Sequence, residues 1–368
     1  LRTTAQRRRR WRIEEDMAHL RYESALGATP QFDFGNPRSA SWTEFDADLA
    51  DCGYDEHAVQ AIRDTRLAFA RSDQPRSRYW SVPDDIDMIT DIPYLDDGIR
   101  GHLLDLYLPH DAVIRQGRTL PVYVDIHGGG FVYGYKELNR NFNVTLAQHG
   151  FAVFSLNYRP APQTDFLGQL RDITAGLAWI ARHGDAYPID LNHVFLTGDS
   201  AGGALAFYQA ALQSDPATAA AYGVTPSGLH IRGVAAVSGV FDLSPFTPGA
   251  TDAQSRNERP DDVVSVIGPH FFKRLSQVDP DYRFSTNLVR NSVIPPMYLA
   301  TSSDDFIEYE SLALATELSR AHQEFELHDV KARPGKPLGH VYSVCMSWLE
   351  ESEAVFRQIH DFSYRLLS

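Results

Sequence analysis

Two hydrophobic periods share this chain, and the place where one gives way to the other divides it. Up to residue 71 the apolar positions recur at helical spacing. Trp11, Met17 and Leu20 make one stripe, and Ala58 to Ile62 with Leu67 and Phe69 make another, both set among charged residues. Ala28 to Trp42, rich in Pro, Gly, Ser and aromatics, reads as a loop between them, and Ser72 to Asp85, with Pro75 and Pro83, as a linker. The period then shortens. Ile86–Ile92 and His102–Leu108 are strand-like runs separated by Asp97-Gly98, which predicts an antiparallel pair.

From Pro121 onward strand and helix patterns alternate. Val122–Ile126, Ala152–Leu156, Val194–Leu196, Gly233–Val237, Met297–Ala300 and Phe325–Val330 read as strands. Leu167, Leu170, Ile173, Leu177 and Ile180 form one helical stripe, Leu312–Leu318 a second, and Tyr342–Leu367 is largely helical. Such alternation predicts a mostly parallel central sheet covered by helices on both faces. The expected organisation is a helical cap region over 1–71 and a catalytic domain over 72–368. Within that domain, residues 243–295, rich in Pro and charge, form an insert above the sheet.

Composition narrows the class. The 368 residues suffice for one large α/β domain, and 43% hydrophobic with 11% aromatic residues is a globular composition. Cys52 and Cys345 match no metal or redox spacing and read as thiols of a reducing, cytoplasmic compartment. No run approaches a membrane span. Net charge is −14, yet six arginines fall within the first twelve residues, leaving 28 basic against 48 acidic residues beyond them. Arg7–Arg10 reads as the solvated start of a helix, because nothing basic or aromatic continues it and no apolar run follows as in a secretory signal. The acidic remainder argues against a nucleic-acid partner.

The chemistry centres on Val194 to Ala206, where an apolar strand turns within a few residues into a helix with Leu205, Tyr208 and Leu212 on one face. Between them stands Gly198-Asp-Ser-Ala-Gly202. The two glycines let strand and helix approach closely, leaving Ser200 at the apex of a sharp, strained bend with an exposed hydroxyl. His127-Gly-Gly-Gly-Phe131 directly follows another strand. A glycine triplet there makes sense if backbone N–H groups must approach a ligand oxygen, forming an oxyanion hole with the N–H of Ala201.

A serine hydroxyl needs a base, and the base an orienting carboxylate. Of the six histidines after Ser200, His340 lies in a loop between the last strand and the last helix, within reach of the sheet's C-terminal edge. His328 lies in a strand pattern, and His322 and His360 in helices. Asp304 and Asp305 both follow the strand Met297–Ala300; one is the candidate orienting acid and the other a solvated neighbour. Asp172, Asp190 and Asp242 read as caps and helix-surface residues. No cluster suggests a metal or cofactor site.

Together these motifs resemble the hormone-sensitive-lipase-like branch of the α/β-hydrolase serine esterases. The resemblance covers about residues 86–362 and rests on His127-Gly-Gly-Gly130, Asn157-Tyr-Arg-Pro-Ala-Pro162 followed by Asp172, Gly198-Asp-Ser-Ala-Gly-Gly203, and Pro296 to Asp305. It implies Ser200 as nucleophile, His340 as base, oxyanion N–H groups from Gly129, Gly130 and Ala201, and an N-terminal helical cap closing the pocket, with Trp11, Phe32, Phe34 and Trp42 as candidate wall residues. The family's spacing from the strand proline to the acid selects Asp305, with Ala313, Ala315 and Leu318 then falling at its small and apolar helix positions. The chain departs by placing Phe306-Ile307 where the family has Pro-Leu and Tyr158-Arg-Pro-Ala-Pro-Gln163 where it has Tyr-Arg-Leu-Ala-Pro-Glu. Ser238-Gly-Val-Phe-Asp-Leu243 is similar to a branch with ferulate-esterase-like and formamidase-like members. The expected activity is cofactor-free hydrolysis of short-acyl esters through an acyl-enzyme. Acyl-sugar, hydroxycinnamate or amide hydrolysis on the same residues, and a non-catalytic small-molecule receptor, are the alternatives.

Overall fold

The apolar runs assemble into one eight-stranded sheet in the order β1-β2-β4-β3-β5-β6-β7-β8. The computed structural model describes residues 48–77, 80–110, 119–249 and 262–367. β1 (Ile86–Pro93) and β2 (Leu103–Pro109) pair antiparallel, and β2 meets β4 (Ala152–Leu156) antiparallel as well. From there β4, β3 (Leu120–Ile126), β5 (Ile189–Asp199), β6 (Ile231–Val237), β7 (Met297–Ser302) and β8 (Phe325–Val330) run parallel. Every residue of β3, β4 and β7 is buried, as strands covered on both faces must be. β1, at the edge, is only intermittently buried. This is the α/β-hydrolase fold.

The helices cover the two faces and divide the core into two apolar clusters. On one side lie α1 (Glu56–Ser77), α3 (Phe166–His183) and α4 (Ala201–Ser214). On the other lie α2 (Arg140–Gln148) and, from the C-terminal region, Tyr342–Cys345 and Glu350–Arg365. α3 begins where Asp165 accepts the Gly168 N–H at 2.9 Å, an N-cap bond, and buries Leu170, Ile173, Leu177 and Ile180. α5 (Val263–Phe271) packs on α1, and Tyr54, just before α1, stacks on His270 at 4.7 Å between centroids.

Three expectations change. The linker begins later, because α1 runs on to Ser77; Pro75 forfeits one hydrogen bond only in the final turn. The last helix is broken into Tyr342–Cys345 and Glu350–Arg365. Asp172 is no helix-surface residue: it is buried, bonded bidentately by Arg159 at 2.7 and 2.9 Å and approached by His102 at 3.3 Å. Trp11, Phe32, Phe34 and Trp42 lie outside the described residues. Among the described residues no helix is long and apolar enough to cross a membrane.

Candidate active site

β5 ends at Asp199 and α4 begins at Ala201, so the whole reversal falls on Ser200, with φ 52° and ψ −121°. Such angles are costly for a residue with a Cβ and persist only where the surroundings impose them. Here Ser200 N–H donates to the Val237 carbonyl at 3.0 Å, while its own carbonyl accepts from Val240 N–H at 3.2 Å and Ala204 N–H at 3.3 Å. A Cβ on Gly202 would collide with the backbone carbonyl of Ile126, so only glycine lets α4 lie this close to β3.

The glycine loop after β3 lies beside the bend. Gly129 (φ 121°) and Gly130 (φ 59°) line the same cavity, of about 760 Å³, as Ser200, Ala201 and His340. The loop is held from below. Gly128 N–H donates to Asp199 Oδ1 at 2.9 Å, and Asn139 Nδ2 donates to that oxygen at 2.8 Å and to Asp125 Oδ1 at 3.2 Å. Asp125 also accepts from Asn143 at 2.8 Å and Ser155 at 3.1 Å. Complete burial pushes its carboxyl up to about 7, against the hydrogen bonds and with the help of the Asp199 charge. His127 is also fully buried, which pushes its imidazole down to about 4; its Nδ1 bonds the Gly128 carbonyl at 2.8 Å and its ring stacks on Tyr158 at 4.3 Å. A neutral His127 stiffens the loop rather than carrying charge.

The loop after β8 brings His340 to Asp305. Nδ1 lies 2.9 and 3.1 Å from the two carboxylate oxygens, and the Asp305 side chain is inaccessible to solvent. Burial acts to raise this carboxyl, but the bond from His340, the His340 charge and other donors outweigh it and hold it below its ordinary value. Asp304 points elsewhere and is not simply a solvated neighbour. It accepts Leu338 N–H at 2.9 Å, Gly339 N–H at 3.0 Å and the Ser302 hydroxyl at 2.9 Å, clamping the loop that carries His340. Neighbouring side chains leaving a strand diverge, so one acid faces the imidazole and the other its loop.

Three residues escaped sequence reasoning. Asp199 ties the bend to the glycine loop; its signal is an acid at the buried end of an apolar strand. Glu310, in α6 (Glu308–Arg320), accepts Phe241 and Asp242 N–H at 2.9 and 2.8 Å. Burial, and then the Asp242 charge, push its carboxyl up to about 7 against those donors. Phe306 lies against His340, with ring centroids 4.6 Å apart. Among the described residues no group of three or more His, Cys, Asp or Glu could hold a metal ion.

A family profile described as BD-FAE matches residues 104–318, more than half of the chain. The chain belongs to the BD-FAE family. Esterase B from Lactobacillus rhamnosis superposes with a TM-score of 0.76 at 29% identity, over 84% of this chain and 95% of that one. A structure of Esterase B with a C4-C4 SN3 tributyrin phosphonate superposes at 0.74 and 28% identity, over 85% and 96%. Tuliposide A-converting enzyme b1 of Tulipa gesneriana is 34% identical over 128 residues, 30% of this chain and 33% of that protein. The match thus spans about a third of the length of the curated tulip relatives.

Proposed function

We propose that this BD-FAE member is a serine carboxylic ester hydrolase that works through an acyl-enzyme. The observation that carries the reading is that Ser200, strained at its bend, and His340, bonded to Asp305, line one cavity with Gly129, Gly130 and Ala201. His340 Nε2 takes the Ser200 proton as Oγ attacks the ester carbonyl, and Asp305 holds the ring in the tautomer with its proton on Nδ1. The N–H groups of Gly129, Gly130 and Ala201 receive the oxyanion, aided by the N-terminus of α4. His340 then protonates the leaving alcohol, and water repeats the sequence on the acyl-enzyme. No cofactor enters this scheme.

The substrate is proposed to be an ester with an acyl chain of about eight carbons or fewer, since pockets of this size enclose small ligands. The tributyrin phosphonate on Esterase B supports that range. Phe69 of α1 and Phe246 and Val263 of the region 243–295 line the cavity, which supports a cap from residues 1–71 and an insert from 243–295 as the elements that shape it. The aromatic rings of Phe69, Tyr133, Phe246 and Phe306 in that lining favour, as a second reading, an aromatic acyl group such as a hydroxycinnamate on the same residues. Hydrolysis of p-nitrophenyl esters of increasing chain length, beside acetylated xylan and methyl hydroxycinnamates, separates the two. Labelling by an alkyl phosphonate at Ser200 and no other serine tests the nucleophile, and a labelled serine elsewhere with Ser200 untouched would remove it.

A further inference from the structure

We propose that Phe306 is a positioning residue for His340, its ring stabilising the imidazolium that forms when His340 takes the Ser200 proton. The inference rests on the hydrolase reading above and adds to it a residue that exchanges no proton.

Two consecutive residues leaving β7 grip the same imidazole from different directions. Asp305 meets its edge at Nδ1. Phe306 lies beside it as a tilted ring, with centroids 4.6 Å apart and planes inclined at 47°. The turn that does this is tight: Asp305 N–H donates to the Ser302 carbonyl at 3.0 Å, Ile307 N–H to Asp305 Oδ1 at 3.0 Å, and Glu308 N–H to the Asp305 carbonyl at 3.1 Å. Asp305 is thereby turned inward and Phe306 outward beside the imidazole, half-exposed at the cavity lining. The carboxylate fixes rotation of the imidazole in its plane, and the phenyl ring limits its tilt.

The chemistry makes that contact matter. As Oγ bonds the carbonyl carbon, the Oγ–H proton passes to Nε2 and the carbonyl π pair moves onto oxygen. The site thus gains an imidazolium and an oxyanion at once, with no net change of charge. An aromatic ring within about 6 Å of a cation attracts it through its quadrupole, and does so for the imidazolium more than for neutral imidazole. Relative to the neutral imidazole of the active resting enzyme, the transition state and intermediate gain, which is the condition for raising turnover.

The charged and titratable groups around His340 are Asp305 at Nδ1, Asp304 beneath its loop, Cys345 from the following helix, and, in the cavity lining, Asp73, Asp199, Asp242, Asp262 and Glu310 with Tyr133 and Tyr309. No lysine or arginine lines the cavity among the described residues. Replacing Phe306 with another uncharged side chain leaves all of them in place, so a change in the pH profile reports on the ring.

The experiment compares wild type with Phe306→Leu and Phe306→Tyr on a neutral short-acyl ester from pH 5 to 9. In Phe306→Leu, kcat on the plateau should fall about two- to fivefold, and the acid limb of kcat/KM should move down by about half a pH unit, because the imidazolium has lost its support. Phe306→Tyr, which keeps a π face, should restore both. An unmoved limb in Phe306→Leu with a change in KM alone would make Phe306 a wall of the cavity and overturn the proposal. Equal behaviour of the Leu and Tyr variants would overturn it too. If Phe306→Leu loses thermal stability, Phe306→Met provides the same comparison. Failure of the underlying reading looks different: wild type would then neither hydrolyse the ester nor take up phosphonate at Ser200.

Discussion

Asp199 Oδ1 accepts the backbone N–H of Gly128 at 2.9 Å, so the residue before Ser200 holds the first glycine of the loop that faces it. Strand β5 and the loop after β3 thus meet through one carboxylate oxygen, and Asn139 shares that oxygen. Asp199→Ala should leave two buried donors without an acceptor, each costing about 1–3 kcal/mol. Turnover is expected to fall about 10- to 100-fold, with a smaller fall in Asp199→Asn, whose remaining oxygen still accepts from Gly128. Steady-state kinetics on one soluble ester, with melting curves of both variants, measure this; wild-type kcat in Asp199→Ala would show that the contact does not position the loop.

Ser200 combines a reactive group with an unfavourable backbone, and the two can be separated. Ser200→Ala should reduce kcat by at least about 10⁴-fold while keeping the strain. Ser200→Gly should be equally inactive but more stable than Ser200→Ala by about 1 kcal/mol, because glycine adopts φ 52° freely. Denaturant titration of the two inactive variants reads the strain directly, and equal midpoints would mean that the bend stores none.

The adjacent acids predict opposite phenotypes. Asp305→Asn should misorient the His340 ring and lower turnover about 10⁴-fold with little change in melting. Asp304→Asn, with one acceptor oxygen left for Leu338, Gly339 and Ser302, should lower thermal stability and cost less than about tenfold in turnover. A collapse of turnover in Asp304→Asn alone would reverse the two roles.

Glu310 gives a prediction in pH. Its carboxyl is raised in the fold to about 7 from an ordinary 4.5, so the folded chain holds this proton more tightly than the unfolded chain does. Its contribution is fully present below pH 4.5 and is lost as pH rises through about 7. Glu310→Gln removes that loss. Relative to wild type, the variant should therefore gain about 1–3 kcal/mol between pH 5 and pH 8. Urea unfolding at the two pH values checks it, and a difference that stays constant across the range would contradict the assignment.

What could be read from the chain beforehand was whatever is local or periodic. The continuous apolar runs of β3, β4 and β5 could only be covered strands, and Gly198 to Gly202 between a strand and a helix required a sharp bend. The extent of α1 was less legible, since Pro75 signals a break yet costs little in a last turn. The supporting shell was hidden for a different reason. Asp199 meets Gly128 across 71 positions, Asn139 joins two carboxylates from separate strands, and Glu310 meets Phe241 across 69. Such partners have no period and no motif, because they are chosen by the packing of elements and not by their neighbours in the chain.

The divergence of Asp304 and Asp305 also makes the turn after β7 a ruler. Inserting or deleting one residue between Ser302 and Asp304 would rotate each acid into the other's direction, handing the imidazole to the wrong carboxylate and the His340 loop to none. Exchanging one side chain of this turn for another leaves those two directions as they are. Its count of residues has no such latitude, so sequence change here is confined to substitution.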